Sequence, residues 1–221
     1  MNFINALEKA FAENNNSENA DIMSKYMKNK FLFFGIKTDQ RRQIFKNIWA
    51  DNQKEVTDNP REIALILFSK KEREFHYCAL EILIKKLKKK YLKEDIQLIE
   101  NLIITNSWWD SVDVIAKFIL GEYLLQFSAE TDTVINRFSN SDNMWLNRSA
   151  ILFQLGYKEK TNFDLLKLIC EKHKTSTEFF IQKAIGWSLR EYTKTDPETV
   201  KSYVSVANLK NLSTKEALKN L

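Results

Sequence analysis

The chain has 221 residues, 44% of them hydrophobic and 12% aromatic, which is ample for the core of a globular protein. Four glycines and two prolines fall far below ordinary usage, excluding a fold built on tight β-turns and pointing to an all-α protein with short polar loops. The 34 Lys and Arg against 29 Asp and Glu leave +5, a modest excess that permits a polyanionic partner. No apolar run approaches the ~20 residues that span a bilayer. Met1-Asn2-Phe3-Ile4-Asn5 has no basic region ahead of an apolar core. Cys78, Cys170, His76 and His173 stand at no disulfide or metal-ligand spacing. The expected setting is the reducing cytosol, with no membrane and no metal.

In chain order, the first informative segment is Phe31-Leu-Phe-Phe-Gly35-Ile-Lys-Thr-Asp-Gln-Arg41-Arg42. It joins two helices, with Gly35 at a turn or helix end and its aromatic residues read as core rather than as a base-stacking platform. Tyr26, on the preceding helix, can face either way. Asn59-Pro60 puts proline at the first helical position, and Ser69 with Glu72 reads as a capping box. The next helix places Leu80, Leu83, Ile84, Leu87 and Tyr91 at i, i+3, i+4, i+7 spacing and carries the run Lys85, Lys86, Lys88, Lys89, Lys90 and Lys93. That run is read as a solvated outer face, with a phosphate-backbone contact as the sharper alternative.

Ser107-Trp108-Trp109-Asp110-Ser111-Val112-Asp113 is the most informative stretch. Ser107 with Asp110 resembles an N-cap pair that also suits the helix dipole. Asp113 lies beyond that reach and shares a helix face with Trp109 at i, i+4, so an aromatic wall stands beside a carboxylate. Such a pair suits a cationic ligand. Further on, Trp145 with Arg148 and Trp187 with Arg190 each offer an indole and a guanidinium at i, i+3. Thr175 with Glu178 and Ser213 with Glu216 read as capping boxes, and Asp196-Pro197 as another proline-led helix start.

Several helices resemble one another. Aligned on a small residue, Ala79, Ala116, Ala150 and Ala184 follow at intervals of 37, 34 and 34 positions, a repeat period. A helix pair of that length cannot bury its apolar stripe alone, so stacked units form a HEAT-like solenoid with a continuous core and a concave face. No gap is long enough for a linker, and one domain over residues 1–221 is expected.

Five segments carry a family resemblance: Phe34-Gly-Ile-Lys-Thr with Arg41-Arg42, Arg73-Glu-Phe-His-Tyr77, Ser107 to Asp113, Trp145-Leu-Asn-Arg148, and Phe179 to Tyr192. In these the chain resembles the AlkD-type bacterial DNA alkylation repair glycosylases, from about Tyr26 to Glu216. The resemblance implies a HEAT-like solenoid whose concave basic face holds duplex DNA and releases N3- or N7-alkylated purines. It implies a catalytic set of Asp113, Trp109 and Trp187, with Arg148 holding the backbone near the lesion. Tyr26, Lys28, Arg41, Arg42 and Arg190 match other DNA-facing positions. It also implies a monomer without cofactor, in the bacterial cytosol or nucleoid. Asp39 stands where a proline is expected before Arg41-Arg42, and Asn147 where a second arginine is frequent, which removes a positive charge.

The residue chemistry agrees independently. A purine alkylated at N7 or N3 is already cationic and leaves as a neutral base without a general acid. Positive charge then moves onto the deoxyribose, where a fixed carboxylate stabilises an oxocarbenium-like transition state or positions water. Opposite unit charges ~4 Å apart at an effective dielectric of ~20 attract by roughly 4 kcal/mol before desolvation, about three powers of ten in rate. Indole faces hold the cationic nucleotide through cation–π contacts. Glycosylases usually flip the target base into a pocket, whereas the resembled family works on the nucleotide within the duplex. Two other classes remain open: a non-catalytic module binding damaged or branched DNA by shape, and a HEAT-like protein scaffold.

Overall fold

The computed structural model describes residues 1–219 and 221. It is 73% helical, and among the described residues extended pairing is limited to an isolated bridge between Leu32 and Glu72. The chain is all-α. Its internal contacts divide it into two compact units, Met1–Lys90 and Tyr91–Leu221.

The first unit contains α1 (Asn2–Glu13), α2 (Ser17–Tyr26), α3 (Thr38–Asp51), α4 (Gln53–Asp58), α5 (Pro60–Phe68) and α6 (Arg73–Leu87). α1 buries Phe3, Ile4, Leu7 and Phe11 along one stripe, and Phe3 meets Phe45 of α3 edge-on at 6.1 Å. Truncating either fully buried phenylalanine of α1 to alanine should cost about 3–5 kcal/mol. α5 and α6 pack as a pair. Between α2 and α3 the aromatic run is core, as its composition predicts: Phe34 packs on Phe11 and Phe75, and Phe33 is buried, although Leu32 is exposed.

A buried carboxylate holds this run. Glu74 accepts the backbone N–H groups of Phe34, Gly35 and Ile36 at 3.2, 3.0 and 3.2 Å. Burial nevertheless pushes its carboxyl above the ordinary value, against the pull of those amides. Gly35 has φ +81°, and a Cβ there would stand 2.5 Å from the Ala20 nitrogen, so only glycine fits.

The second unit contains α7 (Asp95–Ile104), α8 (Trp109–Val114), a π-helical segment (Ile115–Leu120), α9 (Gly121–Gln126), α10 (Thr131–Ser139), α11 (Met144–Leu152), α12 (Phe163–His173), α13 (Phe179–Tyr192), α14 (Pro197–Val206) and α15 (Asn211–Ala217). α8, the π-helical turn and α9 run on without a break. Close contact between α13 and α15 depends on Gly186, where a Cβ would meet the Ser213 carbonyl oxygen at 2.7 Å.

The repeat is physical. Ala79, Ala116, Ala150 and Ala184 are all fully buried, each at a point where a larger side chain would push neighbouring helices apart. Within the second unit several long-range hydrogen bonds keep the same period. Arg137 to Glu100, Ser139 to His173, Arg148 to Asp113 and Tyr157 to Gly121 join residues 37, 34, 35 and 36 positions apart.

The proline-led starts of α5 and α14 stand as expected, but the capping boxes do not form. Ser69 closes α5 by donating to the Ile66 carbonyl, and Ser107 donates back to the Ile103 carbonyl. Ser213 lies inside α15 and donates to Gln182 of α13, while Glu178 is itself the residue preceding α13. Hydroxyls reach earlier carbonyls readily; the side-chain caps are made instead by Asn16, Asn143, Asn162 and Asp196. The lysine run also departs from expectation, since α6 ends at Leu87. Lys88 to Lys93 lie beyond it, and buried Tyr91 is pinned by backbone bonds to the Gln126 amide.

Candidate active site

Asp113 sits in the last turn of α8, directly before the π-helical segment, a local widening that recurs at functional positions. One repeat later, Arg148 of α11 grips it from both sides. Its Nε donates to Oδ1 at 2.7 Å and its Nη2 to Oδ2 at 2.9 Å. The remaining Nη1 donates to the Phe180 carbonyl in the first turn of α13. One guanidinium therefore joins α8, α11 and α13, and all its nitrogens are engaged. The side chains are 5% exposed for Arg148 and 14% for Asp113.

Burial pushes the Asp113 carboxyl above the ordinary carboxylate value. The Arg148 hydrogen bonds and charge pull it back, and Asp110 adds to the rise. A carboxylate so placed is short of water, and each fixed charge around it acts more strongly than it would in solvent. The arrangement suits a negative charge held in one orientation toward a developing positive one.

Trp109, half-buried, stands one helical turn before Asp113. Trp187 is half-buried on α13, two turns beyond Phe180. Trp108, the residue preceding α8, takes another role. Its ring lies 5.7 Å from Trp145 and 5.2 Å from Phe180, and Trp145 lies 5.1 Å from Phe180. Phe180 thus anchors an aromatic cluster and supplies the carbonyl for Arg148. The cluster gave no signal beyond helical spacing, although the 35-residue interval between Asp113 and Arg148 matches the alanine period and marks them as neighbours.

The other candidate residues are distributed as follows. Arg190 donates to Glu216 Oε2 at 2.8 Å, and Lys183 reaches the other oxygen at 2.7 Å. Lys183 foremost, with Arg190, holds the Glu216 carboxyl below its usual range. In the first unit Tyr26 ends α2 with 69% exposure, and Lys28 and Arg42 are exposed. Arg41 points inward, with Nη1 on the Cys78 sulfur at 3.6 Å and Nη2 on Glu81 at 2.8 Å. Burial pushes the Cys78 thiol up to about 12, so the sulfur stays neutral. Asp39 is exposed in the first turn of α3, where a carboxylate suits the dipole. Asn147 donates to the Phe138 and Ser141 carbonyls at 2.9 and 2.8 Å, closing the end of α10.

Among the described residues, no group of three or more His, Cys, Asp or Glu could hold a metal ion. Among the same residues, no helix is long and apolar enough to cross a membrane.

No curated protein matches the chain. Among solved structures, a predicted DNA alkylation repair enzyme from Enterococcus faecalis is 35% identical, with a TM-score of 0.85 over 94% of this chain and 96% of that one. The family described as DNA alkylation repair enzyme matches residues 7–221, a span that includes the buried alanines and the Asp113–Arg148 pair. The chain belongs to the DNA alkylation repair enzyme family.

Proposed function

We propose that the protein is a monofunctional DNA glycosylase that releases positively charged N3- or N7-alkylated purines from duplex DNA. The observation that carries this reading is the Asp113 carboxylate, largely buried, one turn from Trp109 and fixed through both oxygens by Arg148. As the glycosidic bond lengthens, its electron pair leaves with the base and positive charge accumulates on C1′ and the ring oxygen. Asp113 stabilises that charge and orients the attacking water. The water adds to C1′ and gives up a proton to solvent, leaving an abasic site and a neutral alkylpurine. Trp109 and Trp187 form the aromatic walls that receive the cationic nucleotide. Arg148 keeps the carboxylate aimed before substrate arrives, and Arg190, Tyr26, Lys28 and Arg42 contribute contacts to the duplex. The protein acts as a cytosolic monomer without cofactor.

The test is base release. Wild-type protein should liberate 7-methylguanine or 3-methyladenine from methylated duplex DNA, and Asp113→Asn should not, while still binding the duplex. Unchanged release by the variant removes Asp113 from the mechanism.

The ion pair also favours a second reading, because a bidentate arginine neutralises the carboxylate it holds. On that reading the protein is a non-catalytic module that binds damaged or branched DNA by shape, with Asp113 and Arg148 as scaffold. Wild-type protein that binds methylated duplex and releases no base would establish it.

A further inference from the structure

The first unit carries a concentration of positive charge of which the proposed mechanism uses Arg42 alone. There Arg41 of α3 bonds to Cys78 and Glu81 of α6, linking the two helices through side chains. Along α3, Arg42, Lys46 and Trp49 recur at i, i+4 and i+7 and share a face. From the last turn of α6 two ammonium groups converge on the same indole. Lys85 Nζ lies 5.2 Å and Lys86 Nζ 5.5 Å from the Trp49 ring centroid, and Lys86 is steadied by the Thr57 hydroxyl at 2.8 Å.

The lysine charges are not neutralised. Among the described residues, no carboxylate comes within ion-pair distance of Lys46, Lys85 or Lys86, and the nearby acid Glu81 is already shared by Arg41 and Arg42. Four exposed lysines elsewhere have carboxylate partners: Lys9 with Glu13, Lys25 with Asp21, Lys54 with Asp58 and Lys93 with Glu130. The contrast extends to the repeat itself. Lys85 follows Ala79 by the same six positions that separate Arg190 from Ala184, yet Arg190 is balanced by Glu216 and Lys85 is balanced by nothing. Holding two like charges against one ring without counter-ions costs free energy that an exposed cation–π contact, about 0.5–1 kcal/mol, only partly offsets. A row of phosphates would supply the missing negative charge.

We infer that the surface formed by Arg42, Lys46, Lys85 and Lys86 around Trp49 binds the sugar–phosphate backbone of duplex DNA, independent of damage. This deepens the DNA-repair reading and rests on it for the identity of the polyanion. The contacts are sequence-neutral and act through counterion release, so they set affinity and its salt dependence.

The experiment measures binding of a fluorescent, undamaged duplex to the full-length protein by anisotropy across a potassium chloride series. The double variant Lys85→Gln/Lys86→Gln is compared with Lys9→Gln/Lys54→Gln, which removes the same formal charge from paired lysines. The first should make the slope of log K against log salt shallower by about two, while the second leaves it at the wild-type value. Equal slopes for the two variants overturn the inference, as does a wild-type protein with no duplex affinity. Because the duplex is undamaged, the two ideas fail separately. Wild-type protein that releases no alkylpurine, together with a shallower slope for the first variant, sinks the glycosylase and keeps the backbone surface. Base release with equal slopes does the reverse.

Discussion

Each unit holds a buried arginine against a carboxylate of another helix, and the two pairs differ in ways that separate scaffold from candidate chemistry. Arg41 divides its guanidinium between the Cys78 sulfur and one Glu81 oxygen, and Glu81 also has exposed Arg42 at 3.7 Å. Arg148 gives two parallel hydrogen bonds to Asp113 and a third to a backbone carbonyl. Glu81 is therefore a shared, partly wet acceptor on a regular helix. Among the described residues Asp113 has a single cationic partner, and it has less water and a π-helical turn immediately after it. A buried arginine–carboxylate pair alone says little about function. What distinguishes Asp113 is an orientation fixed by Arg148 one helical turn from the half-buried Trp109.

The sharpest way to break this comparison is to remove one charge from each pair. Asp113→Asn should lower single-turnover release of 7-methylguanine by about three powers of ten, taking roughly 4 kcal/mol for the lost electrostatic term. Glu81→Gln should leave release within a few-fold of wild type. Equal losses in both variants would make the two pairs equivalent and the distinction empty. The arginines come next. Arg148→Met leaves a buried carboxylate without its partner and should destabilise the fold by about 3 kcal/mol in urea titration. Arg41→Met should cost clearly less, because Glu81 keeps Arg42 and some solvent.

A pH series sharpens the same contrast. Burial raises the Asp113 carboxyl above its ordinary value, so folding favours its protonated form. Its contribution to stability is therefore complete below the ordinary carboxylate value and is lost as pH rises through the raised one. Wild type should thus lose stability relative to Asp113→Asn over that window. Release needs the ionised form and should fall as pH drops through the same raised value. An acid limb at or below the ordinary carboxylate range would remove burial as the controlling influence.

Much of this was legible in the residues. The alanine period predicted the fully buried positions of four helices, and the i, i+4 relation of Trp109 and Asp113 required only helical geometry. The partner of Asp113 was not read, because its arginine resembled a phosphate ligand and the 35-residue interval was not applied to opposite charges. Serines were misread as caps, since a hydroxyl bonds as readily to a preceding carbonyl as to a following amide. The π-helical turn left no trace in composition. It widens one helix without altering which residues are apolar.

The smallest predicted effect concerns Asn147, where the resemblance calls for arginine. Its amide donates to two carbonyls that close α10, at Phe138 and Ser141, and no cation is needed for that. Asn147→Ala should cost about 1–2 kcal/mol, the penalty of leaving partly buried carbonyls without a donor, with the salt slope of duplex binding unchanged. Asn147→Arg should also lose stability, because a longer side chain cannot keep both bonds in the same space. If Asn147→Arg instead binds duplex more tightly with a steeper salt slope and no loss of stability, position 147 faces DNA. The closure of α10 would then be incidental to what the residue does.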